Sequence, residues 1–315
     1  MSSSNRHHAE HAIDVDAPVD IVYRVIADAV AWPQHFRPTI HVERLETDGT
    51  TERLQIWATA NDAVKTWTSR RVLDEAGHRV TFRQEVSAPP VASMGGEWLA
   101  APRPYGGTRL TLRHDFTAMD DDPEGVAWIR RATDRNSDAE LANIKAVAER
   151  WDRLGELAFS FDGSVTVDGP MELAYDFLHQ AARWPERLPH VARLNLREDV
   201  EGIQHMAMDT RANNGSVHTT ESVRVCFPGQ RIVYKQLVTP ALMTAHTGEW
   251  VLEKADGVVL VTSRHTIVVN ESAITGVLGP DATVASARAF LQNAIGTNSE
   301  KTLRLAKAFA EAGGD

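Results

Sequence analysis

The segment Val15-Asp16-Ala17-Pro18, then Trp32-Pro33, then Gly96-Glu97-Trp98 is written twice in this chain. Val167-Asp168-Gly169-Pro170, Trp184-Pro185 and Gly248-Glu249-Trp250 each stand 152 residues further on. Arg113-His114 returns as Arg264-His265 at a shift of 151, and Asn136-Ser137 returns as Asn298-Ser299 at a shift of 162, after a longer loop. Five matches in one order, at nearly constant spacing, mark a duplication. The period is far too long for a stacked solenoid repeat. With 315 residues the chain fits two domains at about 100–200 residues each. The boundary is expected just after the first long helix, near Arg153 to Phe159, which gives domains 1–154 and 155–315.

Each half has the same internal order. A first strand, about His11 to Val15, ends before Pro18, and Val19, Val22, Tyr23 and Ile26 then fall at helical spacing. Trp32-Pro33 reads as a turn that breaks this helix. Strand-like runs follow, separated by the turn signals Asp48-Gly49, Ala76-Gly77, Pro89-Pro90 and Gly106-Gly107. A long helical pattern from Pro123 to about Arg150 closes the half. Strand, helix, many strands and long helix imply an α+β fold with helices on one face of an antiparallel sheet. A strongly curved sheet with one long helix to fill it leaves an internal pocket, a usual ligand site.

The composition, 43% hydrophobic and 24% charged, is that of an ordinary globular protein. The net charge of −10 argues against nucleic acid as a partner, since such proteins carry a basic stripe. A single cysteine, Cys226, allows no internal disulfide and fits a reducing cytoplasm. The start, Ser2, Ser3, Ser4 and Asn5, has no apolar core after it, so no signal peptide is expected. The longest apolar run, Val258 to Val261, falls far short of the roughly 20 residues that cross a bilayer, so no membrane is expected. His7, His8 and His11 read as a frayed polar start, because no carboxylate or cysteine follows at ligand spacing. Neither a metal nor a cofactor is called for.

Strand alternation shows which side chains face inward. Leu110, Leu112 and Phe116 share a face, and His114 lies on it; in the second half His265 and Ser263 share a face with Val259, Val261 and Ile267. Trp67, Ser69, Arg71 and Leu73 share another face, and Thr220, Ser222, Arg224 and Cys226 answer them. Both halves therefore carry Ser-x-Arg and an inward histidine. A buried guanidinium is costly without a partner, so it needs a reason. A core histidine and a surface arginine are the commoner fates of such residues. Recurrence of Ser, Arg and His together raises the functional reading to equal weight.

Trp67-Thr68-Ser69-Arg70-Arg71-Val72-Leu73-Asp74, Glu97-Trp98, Arg113-His114-Asp115-Phe116 and Asp134-Arg135-Asn136-Ser137 resemble the aromatase/cyclases of bacterial type II polyketide synthases. Val225-Cys226-Phe227-Pro228-Gly229, Tyr234-Lys235-Gln236, Thr239-Pro240-Ala241 and Thr247-Gly248-Glu249-Trp250 resemble the C-terminal half of the two-domain members. The resemblance implies two tandem helix-grip (START, or Bet v 1-like) domains, each a curved antiparallel sheet wrapped around a long C-terminal helix. It implies a linear poly-β-ketone held on an acyl carrier protein, closed by intramolecular aldol condensation and then dehydrated to an aromatic first ring. The other subunits of the synthase are implied partners.

On this resemblance Arg71 and Arg224, with His114 and His265, are the expected catalytic residues. Trp32, His35, Trp67, Ser69, Trp98 and Asn136 are expected to line the first pocket, and Thr220, Ser222, Trp250 and Asn298 the second. Lys65 departs from the single-domain pattern, and Thr220 stands in place of Trp67. The chemistry agrees: a buried arginine stabilises a developing alkoxide, and a histidine can move protons in the dehydration. Two rival readings stay open at this point. One is a non-catalytic carrier of an apolar molecule, and the other is one catalytic domain joined to one structural domain.

Overall fold

The computed structural model describes residues 5–60, 63–211 and 217–314. The first domain opens with β1 (His7–Val15) and α1 (Val19–Ala27), which buries Val22, Tyr23, Val25 and Ile26. Trp32-Pro33 starts a short helix, α2 (Trp32–His35), after a 3₁₀ turn at Ala29–Ala31, instead of ending in a simple turn. The physical reason is that a proline in the first turn of a helix loses no hydrogen bond. Then follow β2 (Thr39–Thr47), β3 (Thr51–Ala60), β4 (Ala63–Asp74), β5 (Arg79–Gln84), β6 (Val91–Pro102) and β7 (Thr108–Ala118). The long helix α3 spans Pro123–Ala148, with the Asp122 side chain accepting from the backbone N–H groups of Glu124 and Gly125.

The helix α4 (Trp151–Leu157) leads into the second copy. That copy contains β8 (Ala158–Val167), α5 (Met171–His179), α6 (Trp184–Arg187), β9 (Val191–Val200), β10 (Ile203–Arg211) and β11 (Val217–Phe227). It continues with β12 (Arg231–Val238), β13 (Met243–Ala255), β14 (Val258–Val269), α7 (Ile274–Leu278) and α8 (Val284–Glu311). The chain divides into the units Met1–Asp152 and Arg153–Asp315.

Each unit holds one seven-stranded sheet, in the order β1-β7-β6-β5-β4-β3-β2 and β8-β14-β13-β12-β11-β10-β9. Every pairing is antiparallel, so each first strand closes against each last one. The start of the first domain is therefore no frayed tail: His7, His8 and His11 belong to β1, paired with Phe116, Asp115 and Leu112 of β7. The ring of His7 stacks on Phe116 at 5.4 Å, and His11 Nε2 lies 3.0 Å from Asp134 Oδ1 of α3. Backbone pairing and these two contacts hold what composition alone reads as loose.

The recurring Gly-Glu-Trp has a packing cause. A Cβ at Gly96 would run into the carbonyl of Arg113 and the ring of Phe82; at Gly248 it would meet the carbonyl of Arg264 and the ring of Tyr234. The strand must pass close beneath a ring in both copies, and glycine permits it.

Candidate active site

The inner face of β4 is built as alternation demands. Ser69 and Arg71 are buried, Trp67 is half-buried, and Arg70 and Val72 are exposed on the other face. Register places Arg71 opposite Glu52 of β3 and Phe82 of β5. Arg71 is 3% exposed, and its Nη2 lies 2.8 Å from Glu52 Oε1, itself on a residue 1% exposed. Its Nη1 donates to the carbonyl of Ile26 at 3.2 Å, and Nη2 to that of Ala27 at 2.5 Å. These are the last carbonyls of α1, where a cation also meets the negative end of the helix dipole. The guanidinium lies 5.2 Å from the Trp32 ring centre. Burial lowers its pKa to about 10, against the pull of Glu52, so it stays charged at neutral pH. Arg71 thus locks the end of α1 and the α2 tryptophan to the sheet, and its Nε has no hydrogen-bond partner among the described residues.

The second copy repeats the lock with a different counterpart. Arg224 faces Gln204 of β10 in the same register, so an amide stands where the first domain has a carboxylate. Arg224 Nη2 donates to the Leu178 carbonyl at 2.5 Å, and Gln204 Nε2 donates to the His179 carbonyl at 3.3 Å. The guanidinium is sandwiched, 5.0 Å from the Trp184 ring and 5.7 Å from the Trp250 ring. Arg224 is fully buried, and desolvation lowers its pKa.

The two histidines lie inside, but in unlike settings. His114 is half-buried and meets the Phe82 ring edge-on at 5.6 Å. Its Nδ1 has no hydrogen-bond partner among the described residues. Burial first, with His11 adding, pushes its pKa down to about 4. His265 is 4% exposed and sealed on several sides. Its Nδ1 lies 2.8 Å from the Tyr234 hydroxyl and 3.2 Å from His246 Nε2, its Nε2 lies 3.1 Å from Ser263 Oγ, and Phe161 stacks on it at 4.9 Å. Burial lowers His265 to about 4 and His246 to about 3. Position by position, Tyr234 replaces Phe82, His246 replaces Met94, Ser263 replaces Leu112 and Phe161 replaces Ala9.

The remaining expected site residues divide between wall and core. Trp32 and Trp67 are half-buried and pack on the cluster of Ala29, Val42, Leu54 and Ile56. The Trp32 indole donates to the Val25 carbonyl at 3.0 Å. Ser69 Oγ donates to the Arg83 carbonyl at 3.3 Å, and Trp98 is 6% exposed. His35 meets the rings of Phe36 and Trp151, while Asn136 is exposed on α3. In the second domain Thr220, Ser222 and Trp250 are buried, and the Asn298 carbonyl accepts from Thr302 Oγ1 at 2.9 Å.

Known proteins match this architecture. Residues 6–149 match a family model described as polyketide cyclase / dehydrase and lipid transport. The granaticin polyketide synthase bifunctional cyclase/dehydratase of Streptomyces violaceoruber is 45% identical, over 99% of this chain and 96% of that protein. The chain belongs to the polyketide cyclase/dehydratase family. Two solved di-domain aromatase/cyclases share the fold of this cyclase/dehydratase over almost its full length. BexL, from the BE-7585A biosynthetic pathway, has a TM-score of 0.88 and 51% identity, covering 97% of this chain and 99% of that one. StfQ, from the steffimycin pathway, has a TM-score of 0.86 and 34% identity, covering 96% and 98%. The tandem helix-grip architecture expected from the sequence is thereby established, as is the reading of the chain as a polyketide cyclase and dehydratase.

The cyclase/dehydratase also brings to the candidate sites residues that the sequence reading passed over. Glu52 shares a face of β3 with Leu54 and Ile56, a carboxylate among aliphatic neighbours, and that pattern marks it as buried. Asp134 was visible only as part of a motif; its pairing with His11 joins residues 123 positions apart. Tyr234 and His246 alternate inward on β12 and β13, and comparison with Phe82 and Met94 would have exposed the polar cluster of the second domain.

Proposed function

We propose that the N-terminal domain accepts a linear poly-β-ketone from an acyl carrier protein, closes its first ring by intramolecular aldol condensation and dehydrates that ring. The C-terminal domain, in this reading, has no turnover of its own. The observation that carries it is the contrast between the two histidines. His114 keeps open surface and an unpartnered ring nitrogen, whereas His265 has both nitrogens engaged and a phenyl ring laid over it.

At neutral pH His114 is an uncharged imidazole and can accept a proton from the carbon next to a ketone. Trp32 and Trp67, partly open, offer flat apolar walls along which the chain folds, and that folding decides which carbons meet. Arg71 fixes the α1 end of this wall through the Ile26 and Ala27 carbonyls. Aldol closure and loss of water are redox-neutral, so the reaction as proposed needs no redox cofactor. The cytoplasm is the proposed place of action, beside the other synthase subunits. Among the described residues no helix is long and apolar enough to cross a membrane.

The test is to supply a minimal polyketide synthase and analyse products from His114→Gln and His265→Gln separately. His114→Gln is expected to lower aromatised product by about 100-fold, in the range seen for lost proton transfer, with shunt products accumulating. His265→Gln, if folded, is expected to leave the product pattern unchanged. Shunt products from both variants would instead make both domains catalytic.

A further inference from the structure

The interior of the N-terminal domain contains an ionisable group that the site described so far does not use. Helix α3 turns about 100° per residue, so position on its circumference can be read from number alone. Ile129, Thr133, Ile144 and Val147 occupy one arc and are buried. Glu140 falls within that arc, between the directions of Thr133 and Val147. A side chain on that arc should be covered by the elements beneath, yet Glu140 keeps open surface. Open surface on the inner arc of the helix means that the side chain borders free volume beneath α3.

Its surroundings offer no charge to compensate it. Helix α3 packs against β1, β7, α1 and the 3₁₀ turn Met119–Asp121, none of whose residues is buried. The titratable groups that these elements turn inward are His7, stacked on Phe116; His11, already paired with Asp134; His114, uncharged at neutral pH; and Tyr23. The buried cation of the sheet, Arg71, is committed to Glu52 and the end of α1. Glu140 has no hydrogen-bond or ion-pair partner among the described residues. Burial alone raises its pKa to about 7. In the second domain the matching position is Thr302, 5% exposed and tied to its own helix through the Asn298 carbonyl.

We propose that Glu140 is a catalytic acid of the N-terminal cavity, delivering the proton with which the ring hydroxyl leaves during dehydration. This rests on the reading of the domain as the cyclising one. In the step, the C–O bond of the β-hydroxy ketone breaks and the hydroxyl departs as water with the carboxyl proton. The α C–H bond breaks, its electrons form the new C=C bond, and its proton goes to the neutral imidazole of His114. Solvent then returns the proton from imidazolium to carboxylate, so the net change is loss of one water. Two groups whose environments push their protonation in opposite directions divide the acid and base roles. His114 is a free base at neutral pH and cannot be the acid, whereas Glu140 can.

The experiment compares wild type, Glu140→Gln and Glu140→Asp on carrier-bound poly-β-ketone from pH 5.5 to 8.5, together with thermal unfolding over the same range. Glu140→Gln is expected to lose about 100-fold in dehydrated product and to lose the fall in rate near pH 7; Glu140→Asp should recover part of both. Independently of turnover, wild type should lose stability relative to Glu140→Gln as pH rises toward about 7 and level off above it, because the unfolded chain releases this proton from about 4.5 upward while the folded one keeps it to about 7. Wild-type rate and pH profile in Glu140→Gln would overturn the proposal, as would stabilities that run parallel with pH. A wild-type chain that cyclises no such substrate would overturn the functional reading beneath it, and the stability comparison would still decide whether Glu140 is an enclosed acid.

Discussion

Removing Arg71 by substitution with alanine tests the buried pair at the end of α1. The change deletes the 2.8 Å ion pair to Glu52, two hydrogen bonds to the Ile26 and Ala27 carbonyls, and the contact with the Trp32 ring. Among the described residues Glu52, 1% exposed, keeps only Arg44, whose Nε lies 2.9 Å from its Oε2 and whose side chain is 41% exposed. Breaking one side of a buried pair costs about 3–5 kcal/mol, because the remaining charge stays desolvated. Arg44 still compensates part of it, so the low end, about 3 kcal/mol, is expected. For a domain of this size that is about 6–12 °C in the midpoint of the N-terminal unfolding transition. Calorimetry of the intact chain reads that transition, and urea unfolding gives the free energy. The companion variant, Arg71→Met with Glu52→Gln, removes both charges and should recover most of the loss. The second domain already lives with glutamine at this register position, in Gln204. Arg71→Ala within about 1 kcal/mol of wild type would refute the reasoning, and so would a double variant no more stable than the single one.

Acid should unfold the second domain before the first. His246 and His265 stay neutral inside it down to about pH 3 and 4, while in the unfolded chain they take up protons below about 6.5. Stability is therefore complete above pH 6.5 and falls as pH drops toward 4, by on the order of 1 kcal/mol per pH unit for each imidazole. His246→Gln should flatten the dependence of the C-terminal transition on pH between 6.5 and 4.5, and an unchanged slope would count against it. A carrier protein is expected to dock beside Arg130, Arg131 and Arg135, all exposed on α3 although the chain carries a net charge of −10. Charge reversal there should slow turnover of carrier-bound substrate and weaken its dependence on salt, whereas identical kinetics would place docking elsewhere.

The duplication, the order of elements along the chain and the inward faces were legible because they rest on period and spacing. Alternation alone put His114 and Leu112 on one side of β7, and Arg71 and Ser69 on one side of β4, as the burial pattern has them. What those side chains do once inside was not legible. Arg71 and Arg224 look equivalent in the sequence, yet one faces a carboxylate and the other an amide, a difference carried by the preceding strand, at Glu52 and Gln204. His114 and His265 look equivalent too, and the three polar side chains that seal His265 come from β12, β13 and β14 itself. The role of the N-terminal histidines went astray for a related reason: the partners of His7 and His11 lie more than 100 positions downstream.

The sheet order of each domain also sets a timetable for synthesis. β1 can find no strand partner until β7 exists, because its register pairs His7 with Phe116 and Val15 with Thr108. At about 5–20 residues per second a ribosome needs on the order of 5–20 seconds to supply the intervening chain. Throughout that interval the opening strand must wait with its backbone amides bonded only to water, while the hairpins from β2 to β6 assemble in turn. The nascent domain is then an incomplete sheet whose β6 edge is unfilled. The arrival of β7 fills that edge and captures β1 in the same event.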